Sequence, residues 1–324
     1  MRAAVCRRYG PPEAVVVEDL PDPRPGLGEV LVAVEAAGLT SGDARIRGAR
    51  APGGMGPMIR LAFGMSGPRR RVLGREYAGR VVGVGTGASR FAVGEAVFGV
   101  TDGMRMGAHA ELVLAKEAGL IRPRPAGLSP AEAAAFFFGG LTAADFLLDQ
   151  CALEPGERLL VVGATGAVGS AAVQIARHHG AHVTAMASAG NLDLARDLGA
   201  HEALDYAEGP AEGEFDVILD VPGAMPDALS RLVPGGRLGL VTAGLGAMLG
   251  AVLRSRRAGG RRIRAGMVAE TPQAVARLLA LHGAGGYRPL LGGSFPLDDI
   301  AHAHEVADGG HKRGNLVIVM EPSA

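Results

Sequence analysis

The sequence predicts an α/β protein of two domains, a β-rich domain followed by a doubly wound parallel sheet, and three observations lead there. The chain has 324 residues, about twice a typical domain. Up to about Arg122 it holds short β-prone runs broken by Gly and Pro, the texture of strands joined by irregular loops. From Leu159 to Val268 apolar runs alternate with helix-forming stretches, which implies parallel strands covered by helices on both faces.

The expected strands of the first part are Val15 to Val17, Val30 to Val34, Ala78 to Val84, Ala96 to Val100 and Ala110 to Leu114. Between them, Arg50 to Arg71 is rich in Gly, Pro, Met and Arg with no sustained period, so it reads as a long loop. After Pro123 and Pro125, Ser129-Pro130-Ala131-Glu132 supplies the cap, first-turn proline and acidic third position of a helix start. Leu159 to Ala164 then reads as a strand, Ala167 to His179 as a helix, His182 to Ala187 as a strand and Asn191 to Leu198 as a helix. Phe215 to Val221, Arg237 to Thr242 and Ile263 to Val268 follow as strands. In the tail, Phe295-Pro-Leu-Asp-Asp299 opens a helix through Ala307, and Leu316 to Met320 is a final strand placed to return to the first domain.

The turn in this pattern that carries chemistry is Gly163-Ala164-Thr165-Gly166-Ala167-Val168-Gly169, set between an apolar strand and a helix. It is a dinucleotide fingerprint with Ala164 in place of the first glycine. Gly166 lets backbone approach a pyrophosphate, Gly169 lets helix and strand pack closely, and the helix start offers N–H groups and partial positive charge. The next strand ends in Met186-Ala-Ser188-Ala-Gly-Asn191, with no acid before Asp193. An NAD enzyme places an acid there against the ribose hydroxyls. Its absence favours NADPH over NADH, with Ser188 and Asn191 as donors to the 2′-phosphate or as caps of the next helix.

Composition narrows the partners. Basic and acidic residues number 33 each, and aromatic residues make up 4%. That balance argues against nucleic acid and against an anionic membrane surface. The arginine-rich stretches Arg69 to Arg71 and Arg254 to Arg264 read as solvated faces in a chain whose only lysines are Lys116 and Lys312. Two cysteines, Cys6 and Cys151, suit neither a disulfide framework nor a four-thiolate metal site. The early charges at Arg2, Arg7 and Arg8 leave no apolar core for a signal peptide, and a cytoplasmic protein is expected.

Several ordered segments resemble the medium-chain dehydrogenase/reductase superfamily, in its zinc-free quinone oxidoreductase-like branch. They are Ala36 to Asp43, Leu73 to Gly79 with Val81 to Gly85, Phe91 to Gly99, Gly140-Leu-Thr-Ala143, the glycine turn, Leu198-Gly-Ala200 and Pro234-Gly-Gly-Arg237. The resemblance covers essentially the whole chain and implies a GroES-like catalytic domain over residues 1–123, completed by 286–324. A Rossmann domain over 124–285 would hold the cofactor, with catalysis in the cleft between the two. It also implies a homodimer and hydride transfer from NADPH to a small electrophile, a quinone or an activated enone or alkenal.

Zinc-dependent members carry their Cys, His and Cys ligands where this chain has Thr40, Arg75 and Phe138, so no metal is expected. The resemblance makes Thr40, Arg75 and Asp43 the catalytic candidates. Thr40 would donate to the developing oxyanion and Arg75 would stabilise it as a fixed cation, unless Arg75 pairs internally with Glu76 or Asp43. The cofactor candidates are Thr142, Ala164, Thr165, Gly166, Ala167, Val168, Gly169, Ser188, Asn191, Tyr206, Thr242, Ala243, Gly244 and Asn315. Thr142 has the alternative of bonding its own helix, and Asn315 stands where relatives often have a Gly-Lys pair. Two further readings stay open. One is a nucleotide-binding protein without turnover. The other is an enoyl-thioester reductase, which the missing tyrosine in Ala44 to Gly48 speaks against.

Overall fold

The structure is a computed structural model that describes residues 1–50, 56–103, 105–209, 213–223, 225–244, 250, 260–310 and 312–321. These fall into two units, one of residues 1–50, 56–137 and 290–321 and the other of residues 138–289. In chain order the first unit begins with β1 (Arg2–Cys6), β2 (Val15–Asp19), β3 (Glu29–Leu39), α1 (Ser41–Gly48) and α2 (Gly56–Phe63). It continues through β4 (Glu76–Val84), β5 (Ala96–Val100), β6 (Leu112–Lys116), β7 (Leu120–Pro123) and α3 (Pro130–Ala134). The second holds α4 (Phe137–Ala144, entered at Phe138), β8 (Arg158–Val162), α5 (Ala167–His178), β9 (His182–Ala187), α6 (Leu192–Asp197), β10 (Glu202–Asp205), β11 (Phe215–Asp220), β12 (Leu232–Leu240), β13 (Arg262–Arg264) and α7 (Pro272–Gly283). The chain then returns to the first unit with β14 (Leu291–Pro296), α8 (Ile300–Asp308) and β15 (Asn315–Val319).

The first unit is built on a sheet ordered β14-β15-β3-β4-β5-β7, with β6 also paired to β3. Strand β3 alternates in burial, with Val30, Val32 and Val34 inward, as a half-buried strand must. The tail strand β15 pairs antiparallel with β3, from Leu316 opposite Leu39 to Val319 opposite Ala36. The core gathers around Val32, Leu73, Tyr77, Ile121 and Ile318. The division between the units falls at 137 and 290 rather than at 123 and 286. The reason at the first boundary is α3, whose Ser129–Glu132 capping box starts a short helix that packs on β3 and β4.

The second unit is a parallel sheet ordered β10-β9-β8-β11-β12-β13. Numbered within the unit, that is third, second, first, fourth, fifth and sixth strand, the doubly wound dinucleotide-binding order. The central strands β8 and β11 are buried on both faces, which is why their sequences run apolar without alternation. Strand order reverses between β8 and β11, and ligands of such sheets bind at the carboxyl ends beside that reversal.

One further correction concerns local structure. The Arg50 to Arg71 stretch contains α2, which the sequence shows no sign of. None of its residues is buried, and Met58 and Leu61 are exposed, so it never had to develop an inward apolar stripe. The part of the stretch at 51–55 and the arginines at 254, 256 and 257 lie outside the described residues. Both cysteines are buried and their thiols are pushed up by burial, Cys6 to about 11 and Cys151 to about 12, so they pack rather than react. Among the described residues no helix is long and apolar enough to cross a membrane.

One buried group gives the first unit a predictable response to acid. His304, on α8, is fully buried and neither ring nitrogen has a hydrogen-bond partner among the described residues. Burial, then the His109 ring, hold its pKa down from 6.5 to about 3, with Arg47 acting the same way and Asp43 opposing them. Between those two values the unfolded chain binds a proton that the folded chain refuses, so stability is lost as pH falls from 6.5 toward 3. His304→Phe is expected to flatten the fall by roughly 1.4 kcal/mol per pH unit over that window. Urea unfolding at a series of pH values measures it, and an unchanged slope would remove His304 from the acid response.

Candidate functional site

The glycine turn is shaped by three different constraints. Gly163, with φ +76°, takes a left-handed turn directly after β8, which a side chain would strain. The N–H groups of Gly163 and Ala164 both donate to Met186 O at 3.0 Å, tying the turn to the end of β9. Gly169 sits in the first turn of α5, where a Cβ would stand 2.1 Å from Gly163 O. Only glycine allows that approach of helix to strand. Gly166 differs, because its backbone is extended (φ −77°, ψ 179°) and a Cβ would find nothing nearer than Gly163 O at 3.6 Å. Nothing in the fold demands a glycine there.

Gly166 also caps α5 without a side-chain hydrogen bond. The opening N–H groups of a twelve-residue helix, at Ala167, Val168 and Gly169, have no intrahelical carbonyl to meet. Their direction and the helix dipole suit an anion. Ala164 and Thr165 are buried in the turn, as are Ala167 and Val168. The helix α4 approaches the same turn from its other side, since a Cβ on Gly139 would lie 2.3 Å from Ala167 O. The residues therefore fit a dinucleotide, with a cradle left open at Gly166 and donors at the helix start.

The remaining cofactor candidates of this unit lie along the carboxyl ends of its strands. Ser188 and Asn191 follow β9, and Asn191 Nδ2 donates to Ser188 Oγ at 2.9 Å. Neither side chain caps the following helix. The capping expectation is corrected accordingly: the two polar groups bond each other instead. Tyr206 follows β10, half exposed, one residue past Asp205, which pairs with Ala187. It is thus a register neighbour of Ser188. Thr242, Ala243 and Gly244 follow β12. Thr142 is buried in α4 and its hydroxyl donates to Phe138 O at 2.6 Å, the local bond open to a helical threonine.

Asp220 was missed from the sequence. It ends β11 beside the strand-order reversal, 1% exposed, and accepts from Gly223 N and Met225 N at 2.9 Å each. An acid closing the apolar run Phe215–Asp220 is the signal that identifies it. Its carboxylate sets the course of the loop that leaves the strand.

The catalytic candidates belong to the first unit. Thr40 caps α1: its hydroxyl donates to Asp43 Oδ2 at 2.7 Å, and its Oγ1 accepts from Asp43 N at 3.3 Å. Asp43 Oδ2 also accepts from Thr40 N at 2.9 Å, and Oδ1 accepts from Gly74 N at 3.1 Å. The Asp43 carboxylate, 3% exposed, is thereby the link between the loop of Thr40 and the segment of Arg75. The single Thr40 proton goes to Asp43, so donation to a substrate requires redirecting it. Arg75 Nη2 donates to Thr101 O at 3.3 Å. Asn315 is buried at the start of β15, and its backbone N and Nδ2 both donate to Leu290 O, at 2.8 and 3.1 Å. Its side-chain amide therefore helps to anchor the start of β15. Thr40, Arg75 and Phe138 offer neither thiolate nor imidazole, so they do not fit a zinc ion.

Known proteins match both units. The alcohol dehydrogenase GroES-like domain family matches residues 26–125, and the zinc-binding dehydrogenase family matches residues 198–318. A chloroplastic quinone oxidoreductase of Triphysaria versicolor is 27% identical over 333 residues, covering 98% of each chain. A spectinabilin polyketide synthase protein of Streptomyces orinoci is 34% identical over 316 residues, 91% of this chain but 13% of that much longer protein. A mycobacterial protein solved in complex with NADPH superposes with a TM-score of 0.81 at 25% identity, over 98% of this chain and 100% of its own. With a doubly wound sheet in one unit, a GroES-like unit beside it in sequence, the quinone oxidoreductase relative and a mitochondrial NAD(P)H oxidoreductase of Danio rerio 29% identical over 90% of this chain and 84% of its own, the chain is an NAD(P)H oxidoreductase and belongs to the medium-chain dehydrogenase/reductase superfamily, in its quinone oxidoreductase-like branch.

Proposed function

We propose that this oxidoreductase is a zinc-independent, NADPH-dependent reductase that transfers a hydride to a quinone or to an activated enone or alkenal. The observation that carries the reading is the cradle at Gly166, a position the fold leaves open in front of the first turn of α5. Zinc independence is supported by the chemistry of Thr40, Arg75 and Phe138. The name of the Triphysaria relative supports a quinone. A cytoplasmic homodimer completes the proposal, with β12 and β13, at one edge of the six-stranded sheet, as its candidate contact.

A bound nicotinamide supplies the hydride. The protein first holds the pyrophosphate, through the N–H groups of Ala167, Val168 and Gly169 with Ala164, Thr165 and Gly166 as the backbone cradle. Ser188, whose lone pair receives Asn191 Nδ2, keeps its own proton for an oxygen of a 2′-phosphate, and Tyr206 flanks the adenosine end. Thr142, Thr242, Ala243 and Gly244 serve the nicotinamide end. As hydride reaches the electrophilic carbon, negative charge gathers on the conjugated oxygen. Arg75 stabilises it as a fixed cation, and Thr40 contributes once its proton turns from Asp43. Solvent supplies the final proton, since a quinol oxygen needs no strong acid.

Thermal unfolding with each nucleotide tests the cofactor. NADPH at a hundredfold excess over its Kd should add about 2.7 kcal/mol of apparent stability, more than NADH at the same concentration and to the same extent after chelator treatment. An NADH shift equal to or larger than that of NADPH would overturn the preference. The polyketide synthase relative favours a second reading, reduction of an enoyl thioester. Steady-state rates with crotonyl thioester against benzoquinone separate the two.

A further inference from the structure

We propose that His109 is a positioning residue for this reduction, a buried bracket that holds the Thr40 and Arg75 segments at a fixed separation. The inference rests on the functional reading above but concerns a residue that reading does not use. His109 lies just before β6, 0% exposed. Its Nε2 is 3.0 Å from Gly38 O. A carbonyl oxygen only accepts, so Nε2 carries the proton. Gly38 is two residues before Thr40. The face of the same ring abuts Gly74, where a Cβ would stand 2.4 Å from His109 Cδ2, and Gly74 is the residue before Arg75.

The backbone fixes the ring as firmly as the ring fixes its neighbours. His109 N donates to Leu73 O at 3.0 Å, Ala108 N donates to Gly74 O at 3.1 Å, and Ala4 N donates to His109 O at 2.8 Å. The ring of His304 meets that of His109 edge-on at 6.3 Å, with 77° between the planes. Gly74, with φ +82°, is left-handed and donates its N–H to Asp43 Oδ1, so Asp43 and His109 grip one glycine from two sides. Asp43 reaches on to Thr40, and His109 reaches on to Gly38. Together they close a loop of contacts through both segments that carry the candidate oxyanion-stabilising groups.

A purely structural residue would not have to be histidine. Nδ1 of His109 is buried without a hydrogen-bond partner among the described residues, an arrangement that costs stability and that a phenylalanine ring would avoid. Local rules are broken in this way where function requires it. The bond that histidine provides and phenylalanine lacks is the one to Gly38 O, on the approach to Thr40.

The test compares His109→Phe, which keeps a ring and removes the N–H, with His109→Gln, whose amide nitrogen reaches the Nε2 position, and His109→Asn, whose amide does not. The readouts are kcat and KM for NADPH oxidation by benzoquinone, NADPH Kd, and amide exchange of residues 38–43 and 73–76. His109→Phe and His109→Asn should lower kcat about tenfold, the value of one buried hydrogen bond of about 1.4 kcal/mol, with NADPH Kd unchanged. Exchange in the two segments should rise by the same factor, and His109→Gln should restore both. Equal kcat in all three variants, or exchange in 38–43 and 73–76 as slow as in the wild type, would overturn the bracket. If the phenylalanine variant fails to fold, the Gln and Asn pair decides alone. A wild type with no turnover would count against the reductase reading, while the exchange measurement would still decide the bracket.

Discussion

Gly166→Val is expected to weaken NADPH binding severely in a protein that still folds. The backbone at Gly166 is extended, and a Cβ there has ordinary clearance from Gly163 O at 3.6 Å, so the folded chain accepts the larger residue. The branched side chain then projects in front of the opening N–H groups of α5, where a pyrophosphate must approach. Affinity should fall by roughly a hundredfold or more, about 2.7 kcal/mol, with the melting temperature of the nucleotide-free protein within a few degrees of wild type. Gly169→Ala supplies the contrast. Its Cβ would be 2.1 Å from Gly163 O, so helix and strand must separate and the fold itself weakens, by about 1–3 kcal/mol. Fluorescence titration with NADPH alongside thermal unfolding reads both. Retained nucleotide affinity in folded Gly166→Val would sink the assignment of the turn.

Arg75→Met is expected to lower kcat by about 10² to 10³, the usual loss when one preorganised donor to a developing oxyanion is removed. NADPH affinity should not change, because the pyrophosphate is assigned to the backbone of the glycine turn and the charge of Arg75 to the substrate oxygen. Methionine keeps most of the length and packing while removing the charge. The competing account, in which Arg75 serves an internal ion pair, predicts a lower melting temperature with normal turnover. Single-turnover rates against benzoquinone distinguish the outcomes.

What could be read from the sequence follows from how local each signal is. The run from β8 through α5 to β9 was legible because the glycine spacing and the apolar strands lie within about 30 consecutive residues, and the observed bounds of β9, His182–Ala187, match the reading. The Ser129 capping box was legible for the same reason. The unit boundary was not, because α3 gains its place by packing on β3 and β4 rather than by texture. At the site, Thr40 and Asp43 were named from the resemblance as separate candidates, and the bond between them, with Asp43 also holding Gly74, shows only in the structure. His109 escaped notice because its partner Gly38 is 71 residues away in sequence. Asn315 was named from the resemblance, and its bond to Leu290 O is a sheet contact that only pairing of β14 with β15 creates.

The decisive measurement is transfer of label from nicotinamide-deuterated NADPH to a conjugated enone by chelator-treated protein, followed by mass spectrometry of the product. The proposed chemistry predicts one deuterium on the β-carbon, a primary isotope effect on the chemical step and no gain in rate on adding zinc. Product without deuterium, or a rate that appears only when zinc is restored, would contradict it.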